Sequence, residues 1–183
     1  LMELTWEAWE WIHKKYRSSV YHFACLKTPG GKIPLNQLKE DITNTAYVLD
    51  TASRVKSLKY HLMDIGDIHW SGEAFVDETD RPIETLFKLY PWEWMVNEEH
   101  GKNIPQSSVH WIEPIWKMLW SNKALLPILW ELYPGHKYLL PAYFEPSPLG
   151  DSYVKKPKLS REGANVSIIE KGEIVEGREG AYG

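Results

Sequence analysis

The strongest constraint on the fold lies between Val20 and Met63. The run Val20-Tyr21-His22-Phe23-Ala24-Cys25 has the composition of a strand, and Thr28-Pro29-Gly30-Gly31 reads as a loop. Leu35, Leu38, Ile42, Ala46, Leu49 and Ala52 then recur at helical spacing, which predicts a long amphipathic helix to about Ser57. Lys59 to Met63 is a second extended run. Strand, long helix, strand is the pattern of a βαβ unit, because parallel neighbours need a long crossover between them. The expected class is mixed α/β with a parallel sheet.

On either side the patterns are shorter. Leu4 to Arg17 predicts a helix rich in Trp and Glu, and Glu73 to Ile83 is polar and turn-rich, as in a short hairpin. The apolar stretch Thr85 to Met95 contains Pro91, expected to open a helix at its first position, where the missing N–H costs nothing. His110 to Glu113 reads as a short strand. Pro114–Trp120 and Asn122–Leu132 read as consecutive helices, with Ser121 as N-cap of the second. The last part predicts a strand at Ser152–Lys156, a loop at Pro157–Asn165, a strand at Val166–Glu170 and another at Glu173–Val175. Two regions are expected, residues 1–110 with the helix, βαβ unit and linker helix, and residues 111–183 with the strand–loop–strand.

Composition excludes several functions. A net charge of −4 gives no electrostatic claim on nucleic acid or an anionic membrane. No apolar run reaches the roughly 18 residues that span a bilayer, and the acidic, Trp-containing start is not a signal peptide. The one cysteine, Cys25, has no internal disulfide partner, so a reducing, cytoplasmic setting is expected. Ten tryptophans are unusual. Trp6, Trp9, Trp92, Trp116, Trp120 and Trp130 fall in amphipathic or buried helical stretches, so core packing is the expectation. A Trp-rich sugar-binding surface is the alternative.

Chemistry concentrates in two stretches. In Tyr153-Val154-Lys155-Lys156-Pro157-Lys158-Leu159-Ser160-Arg161-Glu162-Gly163-Ala164-Asn165-Val166 a strand ends in a lysine and enters a small-residue loop. Lys156 is thereby a positioned cation, and Gly163 can take positive φ and bring backbone N–H groups close to a phosphate. The Gly-x-x-x-x-Gly-Lys and Gly-x-Gly-x-x-Gly fingerprints are absent. In Ser121-Asn122-Lys123-Ala124-Leu125-Leu126-Pro127, Lys123 stands at a helix start, where the dipole disfavours a cation unless an anionic ligand shares the site.

These two stretches, with Leu86-Phe87-Lys88-Leu89-Tyr90-Pro91-Trp92-Glu93, resemble the glutathionylspermidine synthase family, most closely its synthetase-only bacterial members. The resemblance runs from about Val20 to the end. It implies a partial ATP-grasp fold and an ATP- and Mg²⁺-dependent ligase that activates a peptide carboxylate as an acyl phosphate and transfers it to an amine. It also implies ATP contacts at Lys123 and Lys156 and a phosphate-covering loop at Gly163, with Arg161, Glu162, Ala164 and Asn165 beside it. Trp92 and Glu93 match a segment near the thiol-peptide substrate. The family's metal-binding Asp, Glu and Asn lie upstream of the matched region, and its chains continue past Gly183. The resemblance therefore implies a piece cut at both ends, with Mg²⁺ ligands outside it and no metal ligands within. The alternative is a non-catalytic relative that binds a nucleotide or peptide without ligating.

Other candidates are weaker. His22 and Cys25 fall on opposite faces of a strand, against zinc or a Cys–His nucleophile. His61 and His69 flank the Asp64-Gly66-Asp67 turn, and nothing in the pattern requires them to meet. Glu73, Asp77, Glu78 and Asp80 lack calcium-loop spacing and read as a solvated hairpin.

Overall fold

Tyr21–Cys25 is buried at all five positions, which needs neighbours on both edges and cover on both faces. The computed structural model describes residues 2–27, 35–161 and 163–180 and supplies both. The run is β1, preceded by α1 (Met2–Tyr16) and followed by α2 (Leu35–Ser53) and β2 (Tyr60–Asp64). The hairpin β3 (His69–Trp70) and β4 (Phe75–Val76) comes next, then β5 (Thr85–Leu89), α3 (Trp92–Met95) and β6 (His110–Ile112). The sheet order is β2-β1-β5-β6 with every pair parallel, so the expected βαβ unit is present. The loop expected at Thr28–Gly31 lies outside the described residues.

Alternation sorts the sheet into two faces. On one, Tyr21 and Phe23 pack with Trp9 of α1 and with Ala52, Val55 and Leu58 at and beyond the end of α2. The Trp9 ring lies 5.0 Å from Phe23. Larger side chains such as Phe23, Val55 and Leu58 each contribute roughly 1.5–3 kcal/mol on burial. On the other face the register aligns His61, His22, Leu86 and Trp111 across all four strands. Phe75 and Trp92 cover Trp111 at 5.4 and 5.3 Å. His22 and Cys25 are thus on opposite faces, and burial pushes the Cys25 thiol pKa up.

The described chain forms two compact units, Leu1–Ile115 and Trp116–Gly183. The second holds α4 (Met118–Ser121), α5 (Leu125–Leu132) and the antiparallel sheet β7 (Tyr153–Lys155), β8 (Val166–Glu170), β9 (Glu173–Arg178). No described helix is long and apolar enough to cross a membrane.

Local expectations differ from the structure at three places. Ser121 ends α4 and its hydroxyl donates to the Met118 carbonyl at 2.9 Å, while Asn122 Oδ1 takes the Ala124 N–H at 2.9 Å before α5. An amide side chain competes for that N–H as well as a hydroxyl does, and its position decides. Pro91 is the N-cap of α3 and not its first helical residue. Trp9 and Trp92 are core residues, but Trp116 and Trp120 are 53% and 66% exposed, so core packing does not hold for them.

Candidate functional site

The two lysine-bearing stretches meet within the second unit. The Lys123 N–H donates to the Lys158 carbonyl at 2.7 Å. Its ammonium donates to the Ser160 carbonyl at 2.7 Å and the Ser160 hydroxyl at 2.9 Å. Lys123 stands one residue before the N-cap Ala124, outside the helix. The oxygen dipoles of the 156–165 loop answer its charge at the α5 start.

The loop itself is shaped by left-handed backbone. Gly163 has φ 76° and Asn165 φ 56°. Ala164 N–H donates to Arg161 O at 2.9 Å, and Val166 N–H to Gly163 O at 3.2 Å. Asn165 ties the loop to the chain leaving β9, since its Oδ1 accepts from Gly180 N–H at 3.1 Å and its Nδ2 donates to Gly180 O at 3.2 Å. Lys156 follows the last residue of β7 and is exposed, as is Arg161, whereas Ala164 is buried. Glu162 lies outside the described residues. The arrangement offers a cation and a tight turn beside a loop anchored by a second lysine.

Trp92 and Glu93 sit in the first unit. Trp92 is 2% exposed. Its Nε1 donates to Glu113 O at 3.3 Å, and the Lys88 ammonium lies 3.9 Å above its ring while donating to Tyr90 O at 2.7 Å. Trp92 therefore works in the core. Glu93 is half-buried, and its carbonyl accepts from the Asn97 amide at 2.8 Å.

One turn further on, the chain walls a cavity of about 380 Å³ at the carboxyl ends of the parallel strands. Leu26 and Tyr90, which directly follow β1 and β5, line it together with Ile65 and Gly66 beyond β2. The hairpin adds His69 and Phe75, and the turn after α3 adds Glu98, Glu99, His100 and Gly101. β1 has β2 on one side and β5 on the other, so this crevice is the topological switch point, where ligands of open parallel sheets bind. The Tyr90 phenol donates a short hydrogen bond to Glu98 Oε1. Burial, and then the Glu98 charge, raise the phenol pKa, so it stays protonated and pins that carboxylate. No motif marks this cavity: its lining is drawn from residues 26 to 104, and only the paired glutamates after the Trp-Glu segment signal it.

Behind the hairpin lies a polar turn. Asp77 is fully buried, so that part of the acidic cluster expected to be solvated is not, while Glu73, Glu78 and Asp80 are exposed. Asp77 Oδ1 accepts from Thr79 N–H at 2.9 Å, the Thr79 hydroxyl at 2.8 Å and Arg81 N–H at 3.0 Å. Burial alone would raise the Asp77 pKa, but these donors hold it well below the ordinary carboxylate value. His22 Nε2 therefore donates to the ionised Oδ2 at 3.2 Å. His61 and His69 do not meet: His61 pairs with Glu78 at 2.6 Å and His69 with Asp80 at 3.1 Å. Among the described residues His61, Asp77 and Glu78 bring ligand atoms within 4.8 Å of one another. The donors on Asp77 explain that carboxylate as the anchor of the turn.

Comparison with known proteins gives a consistent picture. The family model described as glutathionylspermidine synthase preATP-grasp matches residues 1–183. The chain is 42% identical over 181 residues to the "Putative acid–amine ligase" of Haemophilus influenzae, covering 93% of this chain and 45% of that protein. It is 27% identical over 140 residues to the bifunctional glutathionylspermidine synthetase/amidase of Escherichia coli, covering 62% and 23%. Against the trypanothione synthetase of Crithidia fasciculata it is 27% identical over 174 residues, covering 79% and 26%. The chain thus spans less than half the length of these relatives.

Proposed function

The chain belongs to the glutathionylspermidine synthase preATP-grasp family, and from that premise we propose that the whole protein is a cytoplasmic ATP-dependent carboxylate–amine ligase. A carboxylate oxygen attacks the γ-phosphorus of ATP and ADP leaves. The amine lone pair then attacks the acyl phosphate carbonyl, and phosphate departs with the C–O electron pair as the amine loses a proton. The names of the relatives favour a thiol-peptide carboxylate and a polyamine as the joined partners.

The observation that carries this reading is the seat of Lys123 on the 156–165 loop. Two stretches that are far apart in sequence become one anion-facing element. In it Lys156 supplies charge, Gly163 allows close backbone approach, and Lys123 holds the loop and adds its own charge nearby. Arg161, Ala164 and Asn165 belong to the same cover, and the family resemblance adds Glu162 to it. Trp92 and Glu93 position the turn that walls the cavity. Mg²⁺ would neutralise phosphate charge in such a reaction. Among the described residues of Trp116–Gly183, however, no three His, Cys, Asp or Glu side chains converge, so no residue there is assigned to it.

The test is ATP affinity of the full-length protein carrying Lys156→Ala. Loss of one charge-assisted contact is expected to weaken ATP about ten- to hundredfold. The exposed position predicts an unchanged melting temperature. Unchanged ATP affinity removes Lys156 from the nucleotide site.

A further inference from the structure

We propose that His61, Asp77 and Glu78 form a site for a first-row transition-metal dication, with zinc the best fit, that clasps the turn after β4 to β2. The site lies within the first unit, does not rest on the ligase reading, and is separate from any Mg²⁺ that accompanies ATP.

The ligand atoms already converge. His61 Nε2 is 2.6 Å from Glu78 Oε1, and an oxygen of Asp77 completes a set lying within 4.8 Å of one another. Ligand atoms bound to one ion at about 2.1 Å stand roughly 3–4 Å apart, so small side-chain turns close this set on an ion. His61 coordinates through Nε2 as the Nδ1–H tautomer and gives up its hydrogen bond to Glu78. Both side chains are partly open to solvent, which gives the ion a way in and leaves room for water as a further ligand.

Asp77 is divided between two tasks. The turn's three donors, the Thr79 N–H, the Thr79 hydroxyl and the Arg81 N–H, all go to Oδ1. Oδ2 has His22 Nε2 at 3.2 Å and Arg81 Nε at 3.7 Å. Arg81 is the competing cation, and its side chain, 45% exposed, turns to solvent when an ion takes its place.

His22 is the independent sign of a ligand. Its side chain is 0% exposed and reaches into the cluster, yet its Nδ1 has no hydrogen-bond partner. A buried nitrogen without a partner is costly, so this imidazole is kept for what its other nitrogen does. Three donors already hold Asp77 in the turn without it. A donor behind a ligating carboxylate fixes the orientation of that carboxylate, and His22 stands where such a donor belongs.

The donor set selects the ion. One imidazole nitrogen and two carboxylates suit zinc, which accepts nitrogen and oxygen ligands together, and the two negative charges neutralise the dication. Mg²⁺ and Ca²⁺ favour oxygen alone.

The experiment is calorimetric titration of zinc chloride into the full-length, chelator-stripped protein at pH 7 in excess Mg²⁺. It compares the wild type, His61→Ala/Glu78→Gln and the control His136→Ala/Glu131→Gln, which removes an exposed histidine and carboxylate from the second unit. The site variant is expected to lose one equivalent of zinc or to bind it at least about a hundredfold more weakly, while the control matches the wild type. Zinc is expected to raise the melting temperature of the wild type and the control but not of the site variant. Glu78→Gln alone, at a partly exposed side chain, takes the place of the double variant if that does not fold. The proposal is overturned if the wild type takes up no zinc or if the site variant keeps the same equivalents at the same affinity. It is also overturned if the control loses as much, since uptake would then belong to surface histidines in general.

Discussion

Gly101 tests whether the turn that walls the cavity is as tightly built as its geometry indicates. A Cβ at this position would lie 2.4 Å from the Val96 carbonyl oxygen, 2.6 Å from its carbon and 2.7 Å from the Met95 carbonyl oxygen. Ordinary contact begins near 3.4 Å, so Gly101→Ala demands a main-chain shift of about an ångström. All three obstacles are backbone, and no side chain can swing away. The shift strains the Gly101 N–H bond to Glu98 O, now 2.9 Å. Overpacking of this kind costs about 1–3 kcal/mol and a backbone hydrogen bond about 1 more. The lost freedom of glycine in the unfolded chain offsets about 0.4–1 kcal/mol. The net loss is about 1–3.5 kcal/mol, which lowers Tm by about 2–14 °C for a chain of this size. Gly135→Ala is the control: it has positive φ but nothing within 4 Å of the added carbon, so only the left-handed cost of about 1–2 kcal/mol remains. Circular-dichroism melts at pH 7 decide the matter. A Gly101→Ala Tm within about 1 °C of wild type would show that the turn yields freely, and the reasoning from backbone crowding would be wrong.

Two other outcomes follow from the structure. Burial holds the His22 pKa below its ordinary 6.5 against the pull of Asp77, so the folded protein keeps this imidazole neutral where the unfolded chain takes a proton. Its contribution is complete above pH 6.5 and falls as the pH drops, with a slope of at most about 1.4 kcal/mol per pH unit. His69, raised by the Asp67 carbonyl and by Asp80, acts in the opposite sense, so the measurement is the difference between wild type and His22→Gln in urea titrations from pH 7 to 5. Parallel pH profiles for the two would refute a neutral buried His22. Gly163→Val forces a β-branched residue into φ 76°, with only the Arg178 side chain near the new carbon. In the full-length protein it is expected to reduce ATP affinity about tenfold or more, in line with one lost charge-assisted contact, and normal ATP turnover would count against a covering role for the loop.

Much of the fold was legible because it rests on pattern. β1, α2 and β2 follow from a run of strand composition, a helical repeat and a second extended run, and no distant residue is needed to read them. The hairpin of β8 and β9 was equally plain from Lys171-Gly172, although β9 runs on to Arg178. The acceptor ahead of α5 was not legible: Ser121 and Asn122 can both take a free N–H, and only the path of the chain gives the Ala124 N–H to Asn122 while Ala124 itself is the N-cap. Asp77 was misjudged because an acidic cluster looks solvated in sequence. Its burial depends on donors from Thr79, Arg81 and His22, the last 55 residues away. Of the site, the resemblance named Lys123 and the Gly163 loop, but its partner Ser160 emerged only when the chain was folded. The cavity had no local signature, because a switch point is a property of strand order and not of any one strand.

The central place of β1 also governs when the protein can fold. Tyr21 pairs with Tyr60 on one edge and with Thr85 on the other. During synthesis β1 therefore has no partner on its second edge until residues 64 positions later have been made. At about 5–20 residues per second that is an interval of roughly 3–13 s, without counting the length hidden in the ribosome. Throughout it, one edge of the most apolar strand in the sheet stands open to neighbouring chains. Synthesis speed between the codons for Cys25 and Leu89, more than final stability, would then set how much of the protein reaches its folded form.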